Sequence, residues 1–386
     1  MPDFALPILV DEIANAMDGK LVQFSDGRQA AVLPSPCVQN HAAFLYHTLD
    51  GKLQCAWFAG GLEGKADICI HSSVLDTAAG AWQAARAETD DPDRSEQNPV
   101  LFSPDGQKTL LFHTAQPGGD QDRCVVRMRE IGKAPQDIDV PMGSFVRGRP
   151  VIRSDGAWLL PLFRCTHVPG SRWTGRHDYA SLAISSDQGK SWRCVDVPDS
   201  TGCVHMTLVP LEDGKILAFF RRRQADFVYR TLSNDGGESW EVPIATNIPN
   251  NNSSIAAIRL ADGRIALAAN PVNAQMDDAR RLSLYDELGD DDRPEAEGGC
   301  TPIWGVARAP LSLFFSTDQG RQFSGEVIVW NSKGSCLSND SEDGKNQELS
   351  YPAILQAESG DLHVAFTLHR RAIAYVNIPY GEFQKD

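Results

Sequence analysis

The chain has 386 residues, 42% of them hydrophobic and 23% charged, a balance that excludes extensive disorder and leaves ample material for a core. A formal net charge of -15 excludes a basic face built for nucleic acid. No run approaches the roughly 18 consecutive apolar residues of a membrane span. The opening MPDFALPILVDEIANAMDGK lacks a basic segment followed by an apolar one, so a cytoplasmic location is expected. The nine cysteines are odd in number, and several sit in apolar strand-like runs such as LQCAWF and ICIHSS. Free thiols are expected from that placement, and with no Cys-x-x-Cys pair or zinc-like spacing neither a metal nor a cofactor is expected.

Along the chain, one unit recurs: an Asp-Gly turn or a near relative, followed at once by an apolar strand. It appears as LDGKLQCAWF, PDGQKTLLFH, SDGAWLLPLF, EDGKILAFFR, ADGRIALAAN and SGDLHVAFTL. Asp-Gly suits a tight hairpin whose central residues take positive φ, so each unit reads as two strands around a hairpin. The turns at Asp50, Asp105, Asp155, Asp213 and Asp262 are spaced by about 50 to 58 residues, the length of one four-stranded blade of a propeller. The interval from Asp262 to Asp361 is nearly twice as long. It holds the acidic stretch MDDARRLSLYDELGDDDRPEAEGG and then SLFFSTDQGRQF, and it reads as one blade with a long loop. A seventh blade hidden there is the alternative.

A second repeat interleaves with the first. Ser185–Trp192 (SSDQGKSW) and Ser233–Trp240 (SNDGGESW) share S-x-D-x-G-x-x-W, and Ser316–Phe323 keeps it with Phe for Trp. Such a box suits the hairpin between a blade's third and fourth strands. Its Asp can bond the turn's backbone N–H groups, its Gly can take the unusual φ, and its aromatic ring can pack between blades. A more degenerate copy lies at Ser73–Trp82.

On these motifs the chain resembles the sialidase-like (BNR/Asp-box) propeller family over nearly its whole length. The expected fold is all-β: a single propeller domain over 1–386, built of four-stranded antiparallel blades, six favoured over seven, and monomeric. The segment KLVQFSDGRQAAVL is expected to supply the outer strand that closes the last blade and removes an open edge.

The innermost strands open with QNHAAFLYH, QNPVLFS, VRGRPVIR, GCVHMTLVPL, NNNSSIAAIRL and ELSYPAILQ, polar at the start and apolar beyond. If the Asp-Gly hairpins and Asp boxes share one face, these openings meet on the other. That face then presents His41, Asn98, Arg147 or Arg149, His205, Asn252 and Tyr351. The ends of the second strands add Glu63, Asp67, His113, Gln116, Arg221 to Arg223 and His369 to Arg371. Alternation along a strand lets at most two of the three arginines point inward. Imidazoles, guanidiniums, amides and a phenol suit an anionic, hydroxyl-rich ligand, so the expected partner is an acidic oligosaccharide or polysaccharide. Candidate catalytic residues are His41, His205 and Tyr351. Candidate substrate-binding residues are Glu63, Asp67, Asn98, His113, Arg147, Arg221, Arg222 and Asn252. Trp173 is a candidate stacking face, whereas Trp57 and Trp158 lie in strands and fit the core.

The resemblance adds roles. Sialidases grip the sialic acid carboxylate with three arginines, the first in an Arg-Ile-Pro motif; here the corresponding strand opens with Asn40-His41-Ala42, while SYPA places Tyr351 where the family keeps its nucleophile. GCVHMTLVPLEDGKILAFFRRRQADFVYR and NNNSSIAAIRLADG resemble instead the branch that includes rhamnosyl-glucuronate lyases. That branch implies β-elimination, with a histidine base, an arginine on the carboxylate and Tyr351 or the second histidine as acid. The alternatives are an exo-glycosidase with Tyr351 as nucleophile assisted by Glu348 and with Glu63 or Asp67 as acid/base, or a non-catalytic glycan-binding propeller.

Overall fold

The computed structural model describes residues 13–284, 288, 291–332, 334–338 and 344–384. Part of the acidic stretch in the long interval therefore lies outside the described residues. The strands form six sheets, each a consecutive antiparallel meander. The first blade runs through Gln39–His47, Leu53–Gly60 and Cys69–Asp76, with Ala81–Trp82 and Arg86–Ala87 sharing its outer edge. The fourth holds Cys203–Pro210, Ile216–Arg222, Phe227–Ser233 and Ile244–Pro249. The long interval is a single blade: Ala256–Arg259, Ile265–Ala269, Leu311–Ser316 and Ser324–Trp330, with the extra length in the connection between its second and third strands. The last blade is closed as expected, because the N-terminal Gln29–Val32 pairs with Ala372–Ile378.

Blades meet through apolar faces. Clusters of buried side chains lie between neighbouring blades, as with Leu208, Ala218 and Phe220 of the fourth blade against Leu159, Leu182 and Ile184 of the third. Trp57 and Trp158 belong to these clusters, and the Trp57 indole N–H is satisfied by Asn40 Oδ1 at 2.8 Å.

The Asp boxes do what their residues allow. In the third blade Asp187 Oδ1 accepts the backbone N–H groups of Lys190 and Ser191, at 3.1 and 2.9 Å, and Ser185 Oγ accepts that of Gly189 at 2.8 Å. The same pattern recurs at Ser233 and Asp235 and at Ser316 and Asp318. Trp240 and Phe323 are buried between blades. Gly320 is required twice over: its φ is +74°, and a Cβ there would meet ring atoms of the buried Phe219 at 2.4 and 2.6 Å. Gly320→Ala is therefore expected to destabilise the fold by about 1–3 kcal/mol, read from urea denaturation midpoints.

One expectation about the hairpins is corrected. Of the five Asp-Gly turns only that at Asp213 puts the aspartate in the left-handed region, at φ 58°. Elsewhere the glycine alone turns left-handed. The Asp carboxylate then accepts a backbone N–H two residues on, as Asp155 does from Ala157 at 3.1 Å and Asp262 from Arg264 at 3.0 Å.

A feature of the backbone aims the site. At the opening of five inner strands one non-glycine residue has positive φ: Ala42 (64°), Asn98 (54°), His205 (52°), Asn252 (57°) and Tyr351 (52°). In four of these strands the ladder with the second strand shifts register at that point. Each is a bulge that turns a side chain out of the pleat. His205 is thus equivalent to Ala42, Asn98 and Tyr351, and His41 lies one position earlier. His41 and His205, although both open an inner strand, therefore differ in blade position by one residue.

Candidate functional site

On the face opposite the Asp boxes the bulges converge on Tyr351. Its ring lies 4.1 Å from that of His41 and 5.3 Å from that of His205, centroid to centroid. Arg221 Nη1 donates to the Tyr351 hydroxyl at 2.7 Å, and its Nε and Nη2 donate to Asn252 Oδ1 at 3.1 and 2.8 Å. Since that hydroxyl oxygen accepts from Arg221, its own proton is free to be donated elsewhere. A narrow cleft of about 20 Å³ beside these groups is lined by Glu63, Asn98, His205, Arg221, Arg223 and Tyr351, together with Gln97, Gln121, Phe145, Phe163 and Leu284.

Charge is distributed unevenly here. Arg221 is 1% exposed, and its hydrogen-bond partners are neutral: a phenol, an amide oxygen and, at 3.5 Å, the Nε2 of His205. Burial, outweighing the pull of the neighbouring phenol, lowers its pKa to about 10, which still leaves it charged at neutral pH. Arg223 by contrast is neutralised: Asp178 Oδ2 accepts from its Nε at 2.9 Å and its Nη2 at 2.6 Å. Glu348, fully buried, accepts from Arg308 Nη1 at 2.8 Å, Arg370 Nε at 3.0 Å and Ser350 Oγ at 2.5 Å, while Glu63 pairs with the far side of Arg370. Burial works to raise the Glu348 carboxyl, but Arg308, Arg370 and the neighbouring His41 hold it well below the usual carboxylate range.

Both histidines are buried and neutral at neutral pH. Burial pushes His205 well below the ordinary imidazole value, and Arg221 and Arg147 add to the shift; burial and then Arg370 do the same to His41, against the pull of Glu348. His205 Nδ1 lies 3.0 Å from Ser254 Oγ, and its Nε2 faces Arg221 Nη1. A guanidinium only donates, so the tautomer compatible with both contacts carries its proton on Nδ1 and presents a lone pair at Nε2. His41 Nδ1 meets Thr367 Oγ1 at 2.9 Å, and its Nε2 has no partner among the described residues.

Thus His41, His205, Tyr351, Glu63, Asn98, Arg221 and Asn252 come together. Of the other four expected site residues, none lines the cleft. Arg147 is sunk into the axis, where it donates to the carbonyls of Ala43, Tyr351 and Pro352 at 2.9, 3.0 and 3.2 Å; it props the Tyr351 bulge from below. Arg222 turns to the other side of its strand, over the Tyr229 ring at 4.0 Å and toward Asp226, whereas Arg223 turns inward. His113 is fully buried within its blade, 3.7 Å from Glu96, and burial followed by Arg127 pushes its pKa down to about 3. Asp67 is exposed and accepts the Gly61 N–H at 2.8 Å, bracing the glycine-rich loop. Among the described residues no group of three or more His, Cys, Asp or Glu side chains is placed to hold a metal ion.

Sequence reasoning missed the role of Arg308 and Arg370 as clamps on Glu348, and Asp178, Ser254 and Thr367 as partners. Arg370 had a signal: it lies in HRR at the end of a second strand, as Arg221 lies in RRR.

Six blades, Asp boxes on one face and a buried Tyr, His and Arg cluster on the other define a sialidase-like propeller. The model of the BNR repeat-like domain matches residues 51–364, most of the chain, and the protein belongs to that family. No curated protein matches the chain. Among solved structures, the Hadza microbial sialidase Hz136 has a TM-score of 0.67 at 10% identity, over 90% of this chain and 67% of that one. A protein of unknown function from Dyadobacter fermentans has a TM-score of 0.63 at 15% identity, over 91% and 97%. The sialidase of Trypanosoma rangeli has 0.62 at 12% identity; the match covers 96% of this chain but 58% of that enzyme. At these identities the likeness is one of fold.

Proposed function

We propose that the protein is a carbohydrate-active enzyme that cleaves an acidic glycan beside a uronate by β-elimination, as a rhamnosyl-glucuronate lyase does. The observation that carries this reading is Arg221: a buried guanidinium at the wall of the cleft with only neutral partners. A buried cation without a counter-ion is costly, and a ligand carboxylate would supply the missing charge and accept a bidentate pair of hydrogen bonds. Arg223, Arg308 and Arg370 already have carboxylate partners, so one carboxylate satisfies the cleft.

The rest of the cluster supplies the chemistry. Once Arg221 turns its Nη1 from His205 to the substrate carboxylate, the freed Nε2 of neutral His205 takes the proton from C5, and the released electron pair forms the C4–C5 double bond while the C4–O bond breaks. The leaving oxygen takes the Tyr351 hydroxyl proton. Arg221 lowers the energy of the enolate that forms at the carboxylate, and no water is consumed. Hydrolysis through a Tyr351 nucleophile is the second reading; it needs a carboxylate base for the phenol, whose hydrogen-bond partner is Arg221. Glu348 is occupied by two arginines and Ser350.

The test is product analysis on a glycan ending in rhamnosyl-α-1,4-glucuronate. Elimination yields an unsaturated uronate that absorbs in the ultraviolet, and run in heavy-oxygen water it leaves both products unlabelled. Solvent oxygen in a product, or release of sialic acid from a sialoside at a comparable rate, would replace this reading with the hydrolase.

A further inference from the structure

Outside the cleft, and sharing Leu284 with it, opens a vestibule of about 670 Å³. Its walls carry Trp173 and Trp304, whose ring centroids lie 6.3 Å apart. Both rings contact Arg223, which lines the cleft: its guanidinium carbon is 5.5 Å from the Trp173 centroid and 5.1 Å from that of Trp304. Asp178 fixes the arrangement, accepting the Trp173 indole N–H at 2.9 Å with one oxygen and Arg223 with the other. A rigid aromatic step therefore leads from the cleft to the vestibule.

The electrostatics of the two spaces differ. In the vestibule every arginine has an acid. Arg172 Nη2 lies 2.8 Å and Arg176 Nε 3.5 Å from Glu295, and Arg293 Nη2 lies 2.7 Å from Asp291 and 3.5 Å from Asp120. Asp292 adds a further carboxylate to the lining. The balance is neutral to negative, which repels a second carboxylate and suits hydroxyl groups on a stacked pyranose.

We propose that the vestibule is a second saccharide subsite, in which Trp173 stacks the neutral pyranose linked to the uronate held in the cleft. The enzyme thereby selects a uronate with a neutral neighbour and rejects runs of consecutive uronates. This rests on the uronate reading of the cleft.

The test is equilibrium binding by calorimetry to the intact protein. The probes are glucuronate, a disaccharide with a neutral sugar on its O4, one in which its C1 is linked to a neutral hexose, and a diuronate. One neutral-linked disaccharide is expected to bind at least tenfold more tightly than glucuronate, and which one does so shows whether the subsite takes the leaving or the retained sugar. The diuronate should gain nothing. Trp173→Ala should abolish that gain, bringing the ratio of disaccharide to glucuronate affinity to about one, and Trp173→Phe should restore most of it. Equal gains for the diuronate, or a gain that survives Trp173→Ala, would overturn the proposal. The uronate reading fails separately: glucuronate binding that is unaffected by Arg221→Gln removes it, whatever Trp173 does.

Discussion

Replacement of His205 by alanine is expected to lower kcat/KM on a rhamnosyl-glucuronate substrate by about 100- to 10,000-fold, the range for a positioned proton-transfer group. His205 is buried against Phe163 and Tyr351, so the change also leaves a cavity, and circular dichroism at the assay temperature should show the variant folded before the rates are compared. Arg221→Gln should produce a loss of at least the lower figure, on the order of 100- to 1,000-fold, and should weaken both binding and the chemical step. The carboxylate gains negative charge as the C5 proton leaves, so a guanidinium acts more strongly on the transition state than on the bound substrate. The pH profile separates the two roles. Burial and the neighbouring arginines hold His205 well below its ordinary value, so the base stays neutral as pH falls through 6.5, and the acid limb of kcat/KM in the native enzyme should lie below that. Arg221→Gln removes the cation that does most, after burial, to lower His205, so its residual activity should show the limb moved upward. Retained activity in His205→Ala, or an unmoved limb in Arg221→Gln, would remove His205 from the role of base.

Much of this architecture is legible in the residues, for a physical reason. Asp-Gly turns and Asp boxes are local devices, whose Asp and Gly act within a few positions of themselves, so Asp187 accepts from Ser191 wherever the blade sits. The site is assembled otherwise. Glu348 is held by Arg308 from the fifth blade's long connection and by Arg370, and neither pairing leaves a trace in spacing. Strand alternation correctly limits how many of Arg221 to Arg223 face inward, but not which. The choice follows from the register of Cys203–Pro210 against Ile216–Arg222, where Cys203 pairs with Arg222 and the bulge falls at His205. Arg147 misleads because its position at a strand opening matches that of a ligand group, yet the main-chain carbonyls exposed by the bulges at Ala42 and Tyr351 claim it. The acid that a sialidase comparison would assign to the loop at Glu63 is likewise claimed by Arg370.

The largest loss of stability is expected at Glu348. This carboxylate is the common partner of Arg308 and Arg370, both nearly or fully buried, so Glu348→Ala strands two guanidiniums in a medium that cannot hydrate them. Breaking one buried pair by removing a single partner typically costs about 3–5 kcal/mol, and Glu63 can offset only the Arg370 side. Urea denaturation should therefore show a loss at or above that range, whereas Glu63→Ala should cost less because Arg370 keeps Glu348. The same centre governs acid stability, and the signs can be worked through. Glu348 is depressed in the folded state, so the unfolded chain binds its proton first; its contribution is complete above the unfolded value of about 4.5 and is lost as pH falls below it. His41 and His205 are also depressed, so they too cost stability as pH falls, beginning near their unfolded value of about 6.5. The native protein should accordingly weaken in two stages on acidification, a first below about pH 6.5 and a steeper second below about pH 4.5. Glu348→Ala should lose the second stage's Glu348 contribution while keeping the first. A variant whose urea midpoint matches the native protein at neutral pH, or whose acid profile is unchanged, would show that the arginine pair does not depend on this carboxylate.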